Sequence, residues 1–148
     1  MLSSLPQSAQ AIATYIPHQG SMCLLERVEQ CDSQRIVCST GSHRNPYNPL
    51  RHADQLGVAA GIEYAAQAMA LHAALQTPST ERAQAGYLTS VRGVTMHAMR
   101  LDTYPQDLRV EVECVALSDS AAMYQFAVYA DTTCVLEGKM SAVLRVEV

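Results

Sequence analysis

One glutamate in a long uncharged stretch is the residue with the clearest chemical potential. Between Asp54 and Glu81 the only charged side chain is Glu63. The stretch is rich in Ala, Leu, Met and Gln, which predicts a helix despite Gly57 and Gly61. A carboxylate on a mostly buried helix is costly unless it is paired, protonated or used in chemistry. General acid–base catalysis uses such carboxyls, although a structural carboxyl held by backbone groups or arginine fits the same pattern.

The sequence contains five histidines that could act as a base beside this glutamate. A neutral imidazole is the natural base near neutral pH. His18 precedes an apolar segment and His52 precedes the predicted helix, so both remain candidates for the partner of Glu63. The other histidines are expected to be non-catalytic: His43 in a loop, His72 on the opposite helix face, and His97 at a surface or interface.

The beginning of the predicted helix offers backbone donors. The first N–H groups of a helix have no partner within it, so those around Gly57 and Val58 are expected to be free to polarise a carbonyl oxygen. Gly57 also has no side chain to block such an approach. Asp54 is a plausible N-cap for a helix that ends near residue 75. Gln67 lies one turn after Glu63, where it either orients the carboxyl or fills space.

The segments around the helix are predicted to be strands. The sequences LLERVEQC and QRIVCSTG flank a turn at residues 32–33 and form a predicted hairpin before the helix. After Tyr87, apolar and polar residues alternate in DLRVEVECV, in MYQFAVYA and from residue 136 to residue 146. This alternation is typical of an antiparallel sheet with one covered face. Because one helix must cover the whole sheet, we expect an α+β hot-dog fold in a single domain, residues 1–148.

The overall composition excludes several functional classes. The chain has 148 residues, 49% of them apolar and 16% charged, which is typical of a globular protein. A net charge of -4 without a Lys/Arg cluster argues against binding to nucleic acid. The apolar stretch at residues 55–75 carries polar side chains, so it is interpreted as a buried helix and no membrane association is expected.

The cysteines and the N-terminus indicate a reducing compartment. The five cysteines show no CxxC spacing, so we expect reduced thiols packed as small hydrophobes. No set of His, Cys, Asp and Glu has metal-ligand spacing, so neither a metal site nor a cofactor is predicted. The N-terminus does not have the pattern of a signal peptide, and the cytoplasm is therefore the expected location.

Three ordered stretches carry a family resemblance: IPHQGSMCLLERV, IEYAAQ and VRGVTMHAMRLDTYPQDLRVEVEC. Together they resemble the β-hydroxyacyl-acyl-carrier-protein dehydratases of the hot-dog superfamily. The first is similar to that family's Pro-His opening, the second to its helical Glu-x-x-Ala-Gln motif, and the third to its paired strands. The chain is most similar to the variant subgroup associated with aryl-polyene and related pigment pathways.

The resemblance implies an activity and carries over to named residues. It implies dehydration of a 3-hydroxyacyl group on acyl carrier protein to the trans-2-enoyl form, by a homo- or heterodimer. It assigns site roles to Glu63, Gln67 and His18. The family's usual His-Phe-Pro histidine is replaced here by Pro49, with Asn48 beside it as a candidate substrate-binding residue. Two alternatives remain open: a hot-dog thioesterase in which Glu63 activates water, and a non-catalytic acyl-binding partner subunit.

Overall fold

A computed structural model of the protein describes residues 5–18, 20–76 and 87–143. Within these residues the helices and strands are, in order, α1 Ala9–Ala13, β1 Arg27–Cys31, β2 Arg35–Thr40, α2 Gly61–Gln76, β3 Tyr87–Met96, β4 Leu108–Leu117, β5 Ala121–Ala130 and β6 Thr133–Val143. Short 3-10 turns lie at Gly20–Met22, Ser42–Arg44 and Val58–Ala60. Residues 144–146 of the predicted last strand lie outside the described ranges.

All the described strands join one antiparallel sheet in the order β1-β2-β4-β5-β6-β3. Helix α2 packs against β2, β4 and β5, in the middle of that order. The predicted α+β hot-dog arrangement, a sheet around one long helix, is confirmed. Strand β3 lies at one end of the order, so in the described part of the chain its outer edge has no neighbouring strand.

The alternation in the sequence determines which face of the sheet is buried. Val110 and Val112 of β4 are buried beside Val128 and Phe126 of β5, their partners in the ladder. The residues between them, such as Glu111, lie on the opposite face, because successive side chains of a strand point to opposite sides. Burial of each such apolar side chain stabilises the fold by about 1.5–3 kcal/mol. Hydrophobic burial therefore fixes the covered face that the sequence predicted.

The helix begins later than the sequence predicted. Ala53 and Asp54 have φ angles of 51° and 60°, in the left-handed region, and cannot belong to a right-handed helix. They form a tight turn in which His52 and Gln55 exchange backbone hydrogen bonds of 2.8 and 3.0 Å. The α-helix starts only at Gly61, after a 3-10 turn. The prediction of Asp54 as the N-cap is therefore wrong.

A glycine lets the start of α2 approach the sheet closely. A Cβ atom on Gly61 would lie 2.7 Å from the Cδ2 atom of Leu136 in β6. Tyr64, Ala68 and Leu71 follow on the buried face of the helix, at the spacing expected of one helical face. This close packing places the first turn of α2, and Glu63 within it, against the sheet.

The cysteines agree with their predicted role as packed thiols. None of the five forms a disulfide, and Cys23 and Cys38 are buried. Burial raises the pKa of Cys38 to about 12, so this thiol is inert near neutral pH.

No helix among residues 5–18, 20–76 and 87–143 combines the length and apolar character needed to cross a membrane.

His72 fastens the second half of α2 to the sheet, as its predicted structural role requires. Its Nε2 lies 2.8 Å from the carbonyl oxygen of Asp32, and its Nδ1 lies 2.8 Å from the hydroxyl of Tyr124. Because a carbonyl only accepts, Nε2–H donates and Nδ1 accepts from the tyrosine, which is the pattern of a neutral ring. The ring is 2% exposed, and burial lowers its pKa below the ordinary value.

This buried imidazole predicts a loss of stability in mild acid. As the pH falls below about 6.5, the unfolded His72 takes up a proton that the folded ring does not bind. The free energy of unfolding should therefore decrease from pH 7.5 to pH 5.5, which urea titrations at several pH values would measure. His43 is also buried with a lowered pKa and adds to the effect. His72→Gln should be less stable at pH 7.5 and lose less on acidification; an unchanged pH dependence would exclude this role.

Candidate active site

The structure brings together two of the predicted catalytic residues. Nε2 of His18 lies 3.0 Å from Oε1 of Glu63, although the residues are 45 positions apart in the chain. The side chains are 26% and 35% exposed, respectively. Nδ1 of His18 is buried and has no hydrogen-bond partner among the described residues. The pair thus forms a half-buried acid–base unit with Nε2 facing the carboxylate.

The helix is mostly buried, as predicted, but the side chain of Glu63 is 35% exposed. Tyr64, Ala65 and Ala68 occupy the helix face that packs on the sheet, and each is fully buried. At 100° per residue, Glu63 falls beside that face rather than within it. Its carboxylate therefore reaches the loop that carries His18 and stays in contact with solvent.

Gln67 connects the helix to the segment that follows His18. Its amide nitrogen donates to the carbonyl of Met22 over 2.6 Å, and its amide oxygen accepts from the N–H of Leu24 over 2.9 Å. Gln67 is 0% exposed; its hydrogen bond with Leu24 is buried, and the one to Met22 is partly buried. Gln67 was predicted either to orient the carboxyl of Glu63 or to fill space. Neither role describes this arrangement fully, because Gln67 hydrogen-bonds to the segment that follows His18.

A hydrogen-bond chain that was not predicted from the sequence also holds the segment that follows His18. Asn48 donates to the hydroxyl of Tyr64 over 3.0 Å, and that hydroxyl lies 2.7 Å from Oγ of Ser42. Ser42 in turn donates to the carbonyl of Leu24 over 2.7 Å. Burial raises the pKa of Tyr64, which keeps its hydroxyl available as a donor. The signal in the sequence was a tyrosine on the buried helix face, since its hydroxyl needs a partner there.

Asn48 has a structural role in addition to its predicted one. Its amide nitrogen also donates to the carbonyl of Ser42, and its amide oxygen accepts from the N–H of Leu50, each over 2.9 Å. It is 6% exposed and helps to line a cavity of about 410 Å³. Binding of substrate by Asn48 stays a prediction.

The other predicted site residues are placed differently. His52 is exposed in the turn before α2, and no contact joins it to Glu63 within the described residues. The prediction that the N–H of Val58 is free is wrong, because this group donates to the carbonyl of Met99 over 3.0 Å. Gly57 has open space where a Cβ atom would stand, and no hydrogen bond of its N–H is found among the described residues. Gly57 therefore remains the better candidate for a donor to a carbonyl oxygen.

A buried carboxylate fixes the backbone just before Gly57. Arg100 donates two hydrogen bonds to Asp102, of 3.0 and 2.6 Å, and lowers the pKa of this carboxyl to about 2. Asp102 also accepts from the N–H of Leu56 over 3.2 Å. Leu101 then donates to the carbonyl of Leu56 over 2.8 Å. Both backbone groups of Leu56, its N–H and its carbonyl, are thus held by hydrogen bonds, and this sets the position of the next residue, Gly57.

The described residues enclose the pair of His18 and Glu63 only in part. The cavity of about 410 Å³ lies between residues 21–26 and 41–49, and a second of about 730 Å³ lies on the outer side of the sheet. Neither is lined by His18 or Glu63. Both side chains of the pair are instead partly exposed to solvent.

Solved structures with similar folds include a dehydratase and several thioesterases. The dehydratase heterocomplex ApeI:P from Xenorhabdus doucetiae matches with a TM-score of 0.77 and 19% identity, over 92% of this chain and 91% of that chain. A putative thioesterase from a Silicibacter species matches with a TM-score of 0.67 and 9% identity, over 97% and 95%. A mutant thioesterase from Pseudomonas aeruginosa matches with a TM-score of 0.59 and 11% identity, over 80% and 79%. At these identities the likeness establishes the hot-dog fold.

The family is established by sequence instead. No curated protein matches the chain at a significant level. The family model described as ApeP-like, ApeP dehydratase, matches residues 10–146, which include His18, Glu63 and every strand of the sheet. The predicted resemblance to hot-dog dehydratases of the aryl-polyene type is confirmed by this match. The chain belongs to the ApeP-like dehydratase family.

Proposed function

We propose that the chain is one subunit of a two-subunit dehydratase that converts a 3-hydroxyacyl thioester on acyl carrier protein to the trans-2-enoyl form. The carrying observation is the pair of His18 and Glu63, 3.0 Å apart, in a chain of a dehydratase family. Imidazole and carboxyl groups at this distance are a suitable base and acid for removing water. Fatty-acid or polyene-type biosynthesis is the context that the resemblance implies, and the cytoplasm is the location expected from the cysteines and the N-terminal sequence.

The exposure of the pair supports assembly with a second subunit. Glu63 is 35% exposed, whereas acid–base chemistry on a thioester is favoured by exclusion of water. Strand β3 has an unpaired edge among the described residues, and the exposed Met96 and Met99 lie at its end. Exposed apolar side chains beside a free strand edge favour pairing with another chain. The similar ApeI:P complex is a heterocomplex, so we infer a non-identical hot-dog partner.

Three proton transfers would take His18 and Glu63 through one catalytic cycle. Nε2 of His18 accepts a proton from C2 of the substrate, and the electrons of that C–H bond form the C2=C3 double bond. The C3–O bond breaks, and protonated Glu63 gives its proton to the hydroxyl group, which leaves as water. The proton now on His18 then returns to Glu63 through their 3.0 Å contact. Substrate loses one water, and both side chains regain their starting states.

A backbone donor would stabilise the negative charge that develops on the thioester oxygen. Gly57 precedes Glu63 by six residues, and its N–H has no hydrogen-bond partner in the described part of the chain. A donor fixed in advance is effective because it does not reorganise during the reaction. The Asp102 and Leu56 contact supplies that rigidity.

An assay with acyl carrier protein tests this function. The purified chain, alone and co-expressed with a candidate hot-dog partner, would receive a 3-hydroxyacyl group on acyl carrier protein, and mass spectrometry would follow the products. We expect loss of water from the carrier-bound acyl group, at least tenfold faster with the partner present. Release of free acid would instead identify a thioesterase. Dehydration that persists undiminished in a complex with His18→Gln and Glu63→Gln combined would identify a non-catalytic subunit.

A further inference from the structure

A second cluster of chemically active side chains lies at the end of β3 and the beginning of β6. Nε2 of His97 is 2.8 Å from Oε2 of Glu137, and Sγ of Cys134 is 3.8 Å from the same oxygen. All the ligand atoms of this trio lie within 4.8 Å of one another. His97 and Glu137 are exposed and Cys134 is half-buried, so an ion can reach them from solvent.

An irregularity in β6 brings these side chains to one side of the sheet. Cys134 and Glu137 are three positions apart and would face opposite sides of a regular strand. The ladder between β5 and β6 shifts register at this point, and the consecutive residues Val135 and Leu136 are both buried. A bulge of this kind re-aims the side chains around it. The N–H of His97 donates to the carbonyl of Val135 over 2.9 Å, which holds the imidazole beside them.

We propose that His97, Cys134 and Glu137 bind a divalent cation of the Zn²⁺ class. Imidazole nitrogen, thiolate sulfur and carboxylate oxygen are the ligands that Zn²⁺ takes in proteins, with water completing a tetrahedral set. With bonds of about 2.0–2.3 Å, tetrahedral ligands stand about 3.4–3.8 Å apart. The sulfur and the carboxylate oxygen, 3.8 Å apart, are within about 0.3 Å of the value for such a pair. The imidazole nitrogen and the sulfur lie within 4.8 Å and have to approach by up to about 1.3 Å. The imidazole and carboxylate have to part by about 0.6 Å, and both are exposed enough to move.

The metal would lock a part of the sheet that leads towards the start of α2. Met99 lies two residues after His97, and its carbonyl accepts from the N–H of Val58. A cation shared by residues 97, 134 and 137 would therefore tie the end of β3 to β6 next to this contact. The thiol proton is released to solvent when sulfur binds the ion.

Cobalt and zinc titrations of the purified chain test the site. We expect one Co²⁺ per chain with the near-ultraviolet absorption of a thiolate–cobalt bond, displaced by Zn²⁺. At a free zinc concentration of 100 times Kd, the melting temperature should rise by about 5–10 °C. Cys134→Ser should lose the thiolate band, and Cys134→Ser and His97→Gln should each weaken Zn²⁺ binding at least tenfold. Melting curves without metal would verify that the variants fold.

Two matched variants keep the outcome unambiguous. Cys114→Ser changes another half-buried cysteine, on β4, and should retain the band, the stoichiometry and the affinity. His18→Gln removes the imidazole of the other histidine–carboxylate pair and should also retain them. Absence of a thiolate band in the unsubstituted chain, or a band that survives Cys134→Ser, would overturn the proposal. So would loss of zinc binding in His18→Gln alone.

Discussion

Replacing Glu63 with glutamine is expected to lower dehydration by the assembled enzyme about 10²–10⁴-fold, the usual contribution of a general acid or base. Glutamine keeps the shape of the side chain and can still hydrogen-bond to His18, but it has no acidic proton to give to the departing hydroxyl. His18→Gln should cause a loss of the same order, because it removes the base. The double variant should be scarcely slower than either single variant, since groups that act as one unit are not additive.

Rates of enoyl formation in the complex, at saturating and at limiting substrate, measure this effect. The loss should lie in kcat, because the proton transfers occur in the transition state rather than in substrate binding. Glu113→Gln is the matched control. Glu113 is exposed on β4, which lies three positions from β3 in the order of the strands. Its variant should retain the full rate. If Glu63→Gln also retained it, Glu63 would not be the acid, whereas the family and the fold would stand.

Replacing Gln67 with leucine should reduce the free energy of unfolding by about 2–4 kcal/mol. Leucine has a similar size, but it leaves the buried N–H of Leu24 without a partner, at about 1–3 kcal/mol, and also the half-buried carbonyl of Met22, at a smaller cost. Both groups lie in the segment that follows His18, so the histidine should also be held less firmly. Urea unfolding monitored by circular dichroism measures the loss of stability.

A control on the same helix separates burial from side-chain chemistry. Gln76 also donates to a backbone carbonyl, that of Asp32 over 3.0 Å, but this contact is exposed. Gln76→Leu should therefore change stability by less than about 0.5 kcal/mol. Below its melting temperature, Gln67→Leu should remain folded and yet lose dehydration. Equal stabilities for the two variants would show that the hydrogen bonds of Gln67 are not important.

The sheet was predictable because its signal is local. In β4 and β5, alternating apolar residues report which face is buried, and that pattern depends only on the period of a strand. The start of α2 was not predictable in the same way. Ala53 and Asp54 adopt left-handed φ angles because the following backbone, at Leu56 and Val58, pairs with residues 99–101. A propensity that favours helix from Asp54 onwards is overridden by contacts with distant residues.

The candidate site was predictable in its residue types but not in its geometry. Glu63 stood out because it is charged within an uncharged helix, and the choice between His18 and His52 stayed open in the sequence. Only the path of the loop between α1 and β1, held by Gln67, places His18 and not His52 against the carboxylate. The cluster of His97, Cys134 and Glu137 could not be predicted from the sequence, because neither linear spacing nor regular alternation brings these residues together.

By itself, then, the sequence determined the hot-dog fold and the family, because hydrophobic periodicity and ordered motifs are properties of neighbouring residues. It also singled out Glu63 as the candidate catalytic carboxyl. The tertiary structure alone decided that Glu63 pairs with His18 and that this pair stays half-exposed. It also decided that Gln67, Tyr64 and Asn48 act as supports. Such contacts join residues that are far apart in the chain, and they form only when helix and sheet pack together.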